Sequence, residues 1–141
     1  MAINLSEVGA FAGVDAAGDL SIRFGLYLPG IRAADGFAVV VRIIHRDDRF
    51  DPAVAPVDVA MQWRPASEFD LWSVTTKLAR GGPGRYGQDG IYLYRFQLWW
   101  TRPGGTRQLV TRWFTDPFAR QTDIGMLAAI GCSRTPPPPF A

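Results

Sequence analysis

Short runs in which apolar and polar residues alternate, each closed by turn residues, set the character of this chain. Leu20 to Leu28 reads LSIRFGLYL, a period-two alternation that suits a strand with one buried face. Pro29-Gly30 ends it. Phe37 to His45 (FAVVVRIIH) is almost continuously apolar, which predicts a central strand covered on one face and half covered on the other. Val57–Trp63 and Leu71–Leu78 predict two further strands, split by Arg64-Pro65-Ala66-Ser67. Ile91 to Trp100 (IYLYRFQLWW) is the strongest strand signal, and the turn residues 101–105 predict a hairpin with Arg107–Thr115. Residues 8–14 and 124–130 supply a first and a last short strand. Between these lie a charged loop over 46–56 and a long flexible loop over 79–90, the latter with five Gly and one Pro.

No stretch of eleven residues or more carries the i, i+3, i+4, i+7 pattern of a surface helix. Seven to eight strands without helices between them predict an all-β, antiparallel β-sandwich, with a closed barrel as the competing architecture. The sandwich is expected over residues 1–131. Residues 132–141, with the run SRTPPPPF, are expected to form a proline-rich linker or tail, because consecutive prolines favour an extended conformation and cannot join a sheet.

Composition narrows the chemistry. The 141 residues are one domain's worth, and 48% apolar with 20% charged is a globular balance. A single cysteine, Cys132, excludes an internal disulfide, and a single histidine, His45, argues against a zinc site. Any Ser-His or Cys-His catalysis would have to run through His45 alone. Neither metal nor cofactor is expected, and a binding or structural role is favoured over catalysis.

The net charge is only +2, although 14 of the 15 basic residues are arginine and Lys77 is the one lysine. The arginines stand among acids, as in Arg46-Asp47-Asp48-Arg49-Phe50-Asp51, rather than in a basic stripe. That distribution argues against a nucleic-acid partner. No run of about 18 apolar residues predicts a membrane span. Glu7 stands where a secretory leader would be basic or apolar, so a cytoplasmic location is expected.

Period two divides the strongest strand into two faces. Tyr92, Tyr94, Phe96, Leu98 and Trp100 form the expected core face; Leu93, Arg95, Gln97 and Trp99 form the other. If Trp113 of the partner strand lies beside Arg95 or Trp99, flat aromatic area adjoins planar hydrogen-bond donors. A pyranose ring, with its apolar C–H face and its hydroxyls, suits such a surface. The same tryptophans could equally cover a core edge or an interface with another domain.

The early strand Ile22–Pro29, the segment Leu71-Trp72-Ser73-Val74, the strand Gly90–Phe96 and the segment Trp113–Ala119 occur in an order that resembles one known family. Most specific are a Tyr-x-Tyr-Arg-Phe strand and, about twenty residues on, Trp-x-x-Asp-Pro-x-Ala. The chain is similar to the N-terminal β-sandwich of α-amylase-family glycoside hydrolases, of the glycogen-binding, isoamylase-N-terminal (family-48) carbohydrate-binding type. The resemblance covers roughly residues 20–130 and implies an immunoglobulin-like, early-set fold. It further implies a non-catalytic accessory domain that packs on or orients a catalytic barrel, with an α-glucan (maltooligosaccharide, glycogen or starch) as possible ligand. The glucan-contacting positions of that family fall on Arg95 and Trp113, and Trp99 is an added candidate. A second binding tryptophan of the family has no counterpart, since Arg46–Phe50 stands in its place. The alternative is a protein–protein interaction sandwich that uses the same aromatic face and binds no sugar.

Other motifs have plainer readings. Asp116-Pro117 is expected to end a strand, since Asp caps turns and Pro fixes φ. The acidic pairs, Asp47-Asp48 among them, sit in expected loops rather than facing each other across a cleft as glycoside hydrolysis requires. The glycines of 81–90 are followed by neither Lys-Ser/Thr nor a helix, so they do not read as a phosphate loop.

Overall fold

The computed structural model describes residues 8–65, 70–111, 113–114 and 128–134. Over these the chain forms nine strands in two antiparallel sheets. They are β1 (Gly9–Val14), β2 (Leu20–Tyr27), β3 (Phe37–His45), β4 (Val57–Ala60), β5 (Gln62–Arg64), β6 (Leu71–Leu78), β7 (Gly90–Thr101), β8 (Arg107–Leu109) and β9 (Ala128–Cys132). One sheet runs β1-β2-β6-β5; the other runs β4-β3-β7-β8, with β9 also pairing β7. Two short 3-10 turns, Ala33–Asp35 and Arg46–Asp48, are the only helical elements described. This division of strands, four on one sheet and the third, fourth, seventh, eighth and last on the other, is that of an antiparallel β-sandwich. The fold class expected from the pattern is the fold observed, with nine strands instead of seven or eight.

The extra strand, and the shortening of another, have physical causes. Val57–Trp63 reads as one strand, but the chain changes sheets at Met61. Met61 donates its N–H to the Val39 carbonyl at 2.8 Å and buries its side chain in the core, leaving β4 beside β3 and β5 beside β6. The second hairpin strand is likewise shorter than its apolar pattern suggests. β8 ends at Leu109, and Phe114 then rejoins β7 through an isolated bridge to Phe96. β9 pairs with the start of β7, from Gly90↔Cys132 to Tyr94↔Ala128. One edge of the twelve-residue β7 is therefore covered by successive short segments. The expected sandwich end at residue 131 falls inside β9. Beyond it Arg134 donates to Asp89, to the Gly18 carbonyl and to the Gly87 carbonyl, tying three loops together. Asp116-Pro117, residues 124–127 and the run 135–141 lie outside the described residues.

The core is the space between the sheets. Leu20, Ile22, Phe24 and Leu26 of β2 face Val39, Val41 and Ile43 of β3 and Tyr92, Tyr94 and Phe96 of β7. Phe24 meets Tyr94 at 5.1 Å between ring centres, in a tilted aromatic contact across the sandwich. Trp72 is buried in the same core and donates Nε1–H to the Ile31 carbonyl at 2.9 Å.

The glycine-rich loop is anchored rather than free. The Tyr92 hydroxyl accepts the Gly87 N–H at 2.9 Å and donates to the Gln88 carbonyl at 2.6 Å, the tyrosine-corner device of immunoglobulin sandwiches. Burial pushes its phenol up to about 12. Asp48 holds the same loop from below, accepting the Arg85 N–H at 2.7 Å and its guanidinium at 2.8 Å. Gly90 closes the loop at φ +149, where a Cβ would run into the His45 imidazole. Tyr92→Phe keeps the ring and removes the hydroxyl, so it is expected to cost about 2 kcal/mol in urea unfolding. A loss below about 0.5 kcal/mol would mean that the loop is held without it.

Candidate functional site

Outward-facing residues of the β4-β3-β7-β8 sheet build the candidate site. Antiparallel register places Asp58 of β4 opposite Arg42 of β3, and Arg42 opposite Arg95 of β7. Residues directly opposite in such a ladder share a face, so Asp58, Arg42 and Arg95 form one row across the outer surface. Trp113, beside the Phe96–Phe114 bridge, lies against that row. Its ring centre is 4.4 Å from the Arg42 guanidinium carbon and 4.9 Å from that of Arg95. Phe114 points inward, with its ring 5.7 Å from Phe96, which is why Trp113 next to it points out.

The two arginines are not equivalent. Arg42 makes a forked ion pair with Asp58, at 2.7 Å from Nε and 3.0 Å from Nη2, and that carboxylate holds the Arg42 charge more firmly. Arg95 has no hydrogen-bond partner among the described residues. Its contact is the Trp113 ring, a cation–π pair in a half-buried setting. Burial first, and the like charge of Arg42 second, disfavour its charged form. Arg95 remains a guanidinium at any ordinary pH, but one with spare donors.

Trp99, the third candidate, is not part of that cluster. It stands four residues from Arg95 on the same strand face, about 13 Å along the strand. There it stacks on Arg107, 4.3 Å from the ring centre. Trp100, expected in the core, reaches the sheet edge instead, where its Nε1–H donates to the Asp35 carbonyl at 2.9 Å. The structure thus brings Arg95 and Trp113 together and leaves Trp99 apart.

Sequence reasoning missed several neighbours. Arg42 interrupts the apolar run FAVVVRIIH at an outward position, and that parity alone marks it as a surface charge on a central strand. Asp58, Arg49 and Phe50 carry no such signal, because only the fold brings them here. Phe50 is 78% exposed with the Arg49 guanidinium 4.5 Å over its ring. Five of the six arginine–aromatic stacks described lie on this half of the sandwich, which singles it out from the β1-β2-β6-β5 side.

Other polar groups of the fold are structural. Asp70, in the left-handed region at φ +55, accepts the Gly30 N–H at 2.8 Å and the Trp63 Nε1–H at 3.2 Å, and pairs with Arg32. His45 is buried; its Nδ1 accepts the Asp47 N–H, and the Asp89 carbonyl lies 3.2 Å from its Nε2. Burial pushes the Cys132 thiol up to about 11, so it is a poor nucleophile. Among the described residues no three His, Cys, Asp or Glu side chains gather as a metal site, and no helix is long and apolar enough to cross a membrane. No family model, no curated protein and no solved structure matches this chain.

Proposed function

We propose that this chain is a non-catalytic accessory module whose outer β3–β7 face binds α-glucan, positioned beside the catalytic barrel of an α-amylase-family glycoside hydrolase. One observation carries the reading: Arg95 and Trp113, the two positions that the resemblance assigns to glucan contact, meet 4.9 Å apart on an outward sheet face. The indole offers a flat apolar surface for the C–H face of a glucose unit. The spare donors of Arg95 suit its hydroxyls.

Titration of intrinsic tryptophan fluorescence with maltoheptaose, backed by calorimetry, tests it. Saturable quenching at micromolar to millimolar sugar is the expected result. Trp113→Ala is expected to weaken binding at least tenfold, since the stacked area is worth about 1.5–3 kcal/mol. A flat titration, or an affinity that Trp113→Ala leaves unchanged, sinks the glucan reading.

A second reading is that the same face packs against another protein. It is favoured by the exposed apolar side chains of Phe50, Leu109 and Val110. Self-association of the isolated chain without any response to sugar would select it.

A further inference from the structure

Beside Arg95, the same sheet face opens into a pocket of about 230 Å³. That exceeds the roughly 150 Å³ known to admit a benzene ring. Its floor is apolar: Ile44, and Leu93, which is only 2% exposed in spite of its outward parity. Phe50 forms a wall. Among the described residues, the charged lining is arginine alone, from Arg42, Arg49 and Arg95, with no acidic side chain.

The positive charges here are incompletely answered. Asp58 neutralises Arg42 from outside the pocket. Arg49 donates from Nη1 to the Arg46 carbonyl, while its Nε is buried and has no hydrogen-bond partner among the described residues. Among the described residues, Arg95 has only the Trp113 ring. Arg42 and Arg95 stand directly opposite in the ladder, a placement in which like charges repel. A buried donor without an acceptor, and two adjacent guanidiniums of which a carboxylate pairs only one, both call for an anion.

We infer that this pocket binds a small organic acid, its carboxylate held between Arg95 and Arg49 and its ring-sized apolar body resting on Leu93 and Ile44 against Phe50. The planar guanidinium fork matches a carboxylate bidentately, and the apolar floor offers no hydrogen-bond partner to a hydrated inorganic ion. The inference does not rest on glucan binding, because its ligand is charged and apolar where a glucan is neutral and hydroxylated.

Calorimetric titration of the whole chain with sodium benzoate, at constant ionic strength, is the test. Benzyl alcohol serves as the neutral counterpart and acetate as the anion without a ring. Benzoate is expected to bind at least about tenfold more tightly than either, since both charge and apolar body contribute. Arg95→Gln and Arg49→Gln should each weaken benzoate by about tenfold. Phe50→Ala, at an exposed position that leaves the fold intact, should weaken benzoate while leaving acetate unchanged. The inference is overturned if benzyl alcohol binds as well as benzoate, if benzoate shows no saturation, or if both arginine variants keep the original affinity. Benzoate binding with a flat maltoheptaose titration would sink the glucan reading alone; the reverse pair of results would sink this one alone.

Discussion

Phe24→Ala is expected to lower the free energy of unfolding by about 4 kcal/mol. Phe24 has no exposed area, and its ring lies 5.1 Å from Tyr94 and 6.4 Å from Phe96 of the opposite sheet. Truncation removes a whole ring from the middle of the sandwich. The cavity cannot close, because the sheets are held apart by every other inward side chain along four strands. The transfer and cavity penalties therefore add, and the melting midpoint should fall by about 12 °C. Phe11→Ala is the control. Phe11 lies on β1, is 39% exposed and stacks under Arg23, so its loss should cost less than about 0.5 kcal/mol. Urea unfolding with an unchanged slope measures both. Equal effects of the two substitutions would mean that the sheets do not meet through Phe24.

Acidification should destabilise the fold, and most steeply below about pH 4. Asp48 is held below the ordinary value of 3.8, first by the Arg85 N–H and then by the Arg85 side chain. Asp70 is lowered mainly by the Gly30 N–H, with help from Trp63 and Arg32. Asp19 is lowered mainly by Lys77. A carboxyl that holds its proton less tightly when folded stabilises the fold fully above its unfolded value. That contribution disappears as pH falls through the lower, folded value. The melting midpoint should thus change little on this account between pH 7 and pH 5, then drop as pH falls through 4 and below. The surface group Asp19–Lys77–Arg80 should matter less, and less still with added salt. Asp48→Asn and Asp70→Asn should each lower the midpoint at pH 7 and flatten its decline in acid. An unchanged acid slope in both variants would place the sensitive groups elsewhere.

These two carboxylates also show where sequence reading reaches its limit. Asp48 reads as one of several acids in a charged loop, and Asp70 as a residue just before a strand. Each becomes a structural tie only because a distant loop lies across it, Gly84–Arg85 on Asp48 and Gly30 on Asp70. Tyr92 behaves in the same way: period two places it on the core face, yet its hydroxyl's partners in the glycine-rich loop follow from the sandwich. The loop reads as flexible because glycine permits many conformations. Three side chains, Asp48, Tyr92 and Arg134, tie it to the sandwich.

Of the candidate site, Arg95 and Trp113 were legible. Parity puts Arg95 on the outer face of a strong strand, and Trp113 stands on the segment expected to pair with that strand. Trp99 shares that parity, but about 13 Å of strand separates it from the pair, a distance visible only once both strands are placed.

Sequence alone determined the all-β class, the alternation of β2, the inward face of β7 from Tyr92 to Leu98, and the outward position of Arg95. It could do so because a strand's side chains alternate with a fixed period, whatever the strand pairs with. Tertiary structure alone decided the change of sheet at Met61, the division of the strand beside β7, and the meeting of Asp58, Arg42, Arg95 and Trp113. Those outcomes depend on which strands become neighbours and in what register. Register is set by the packing of both sheets together, a property that no single segment of the chain carries.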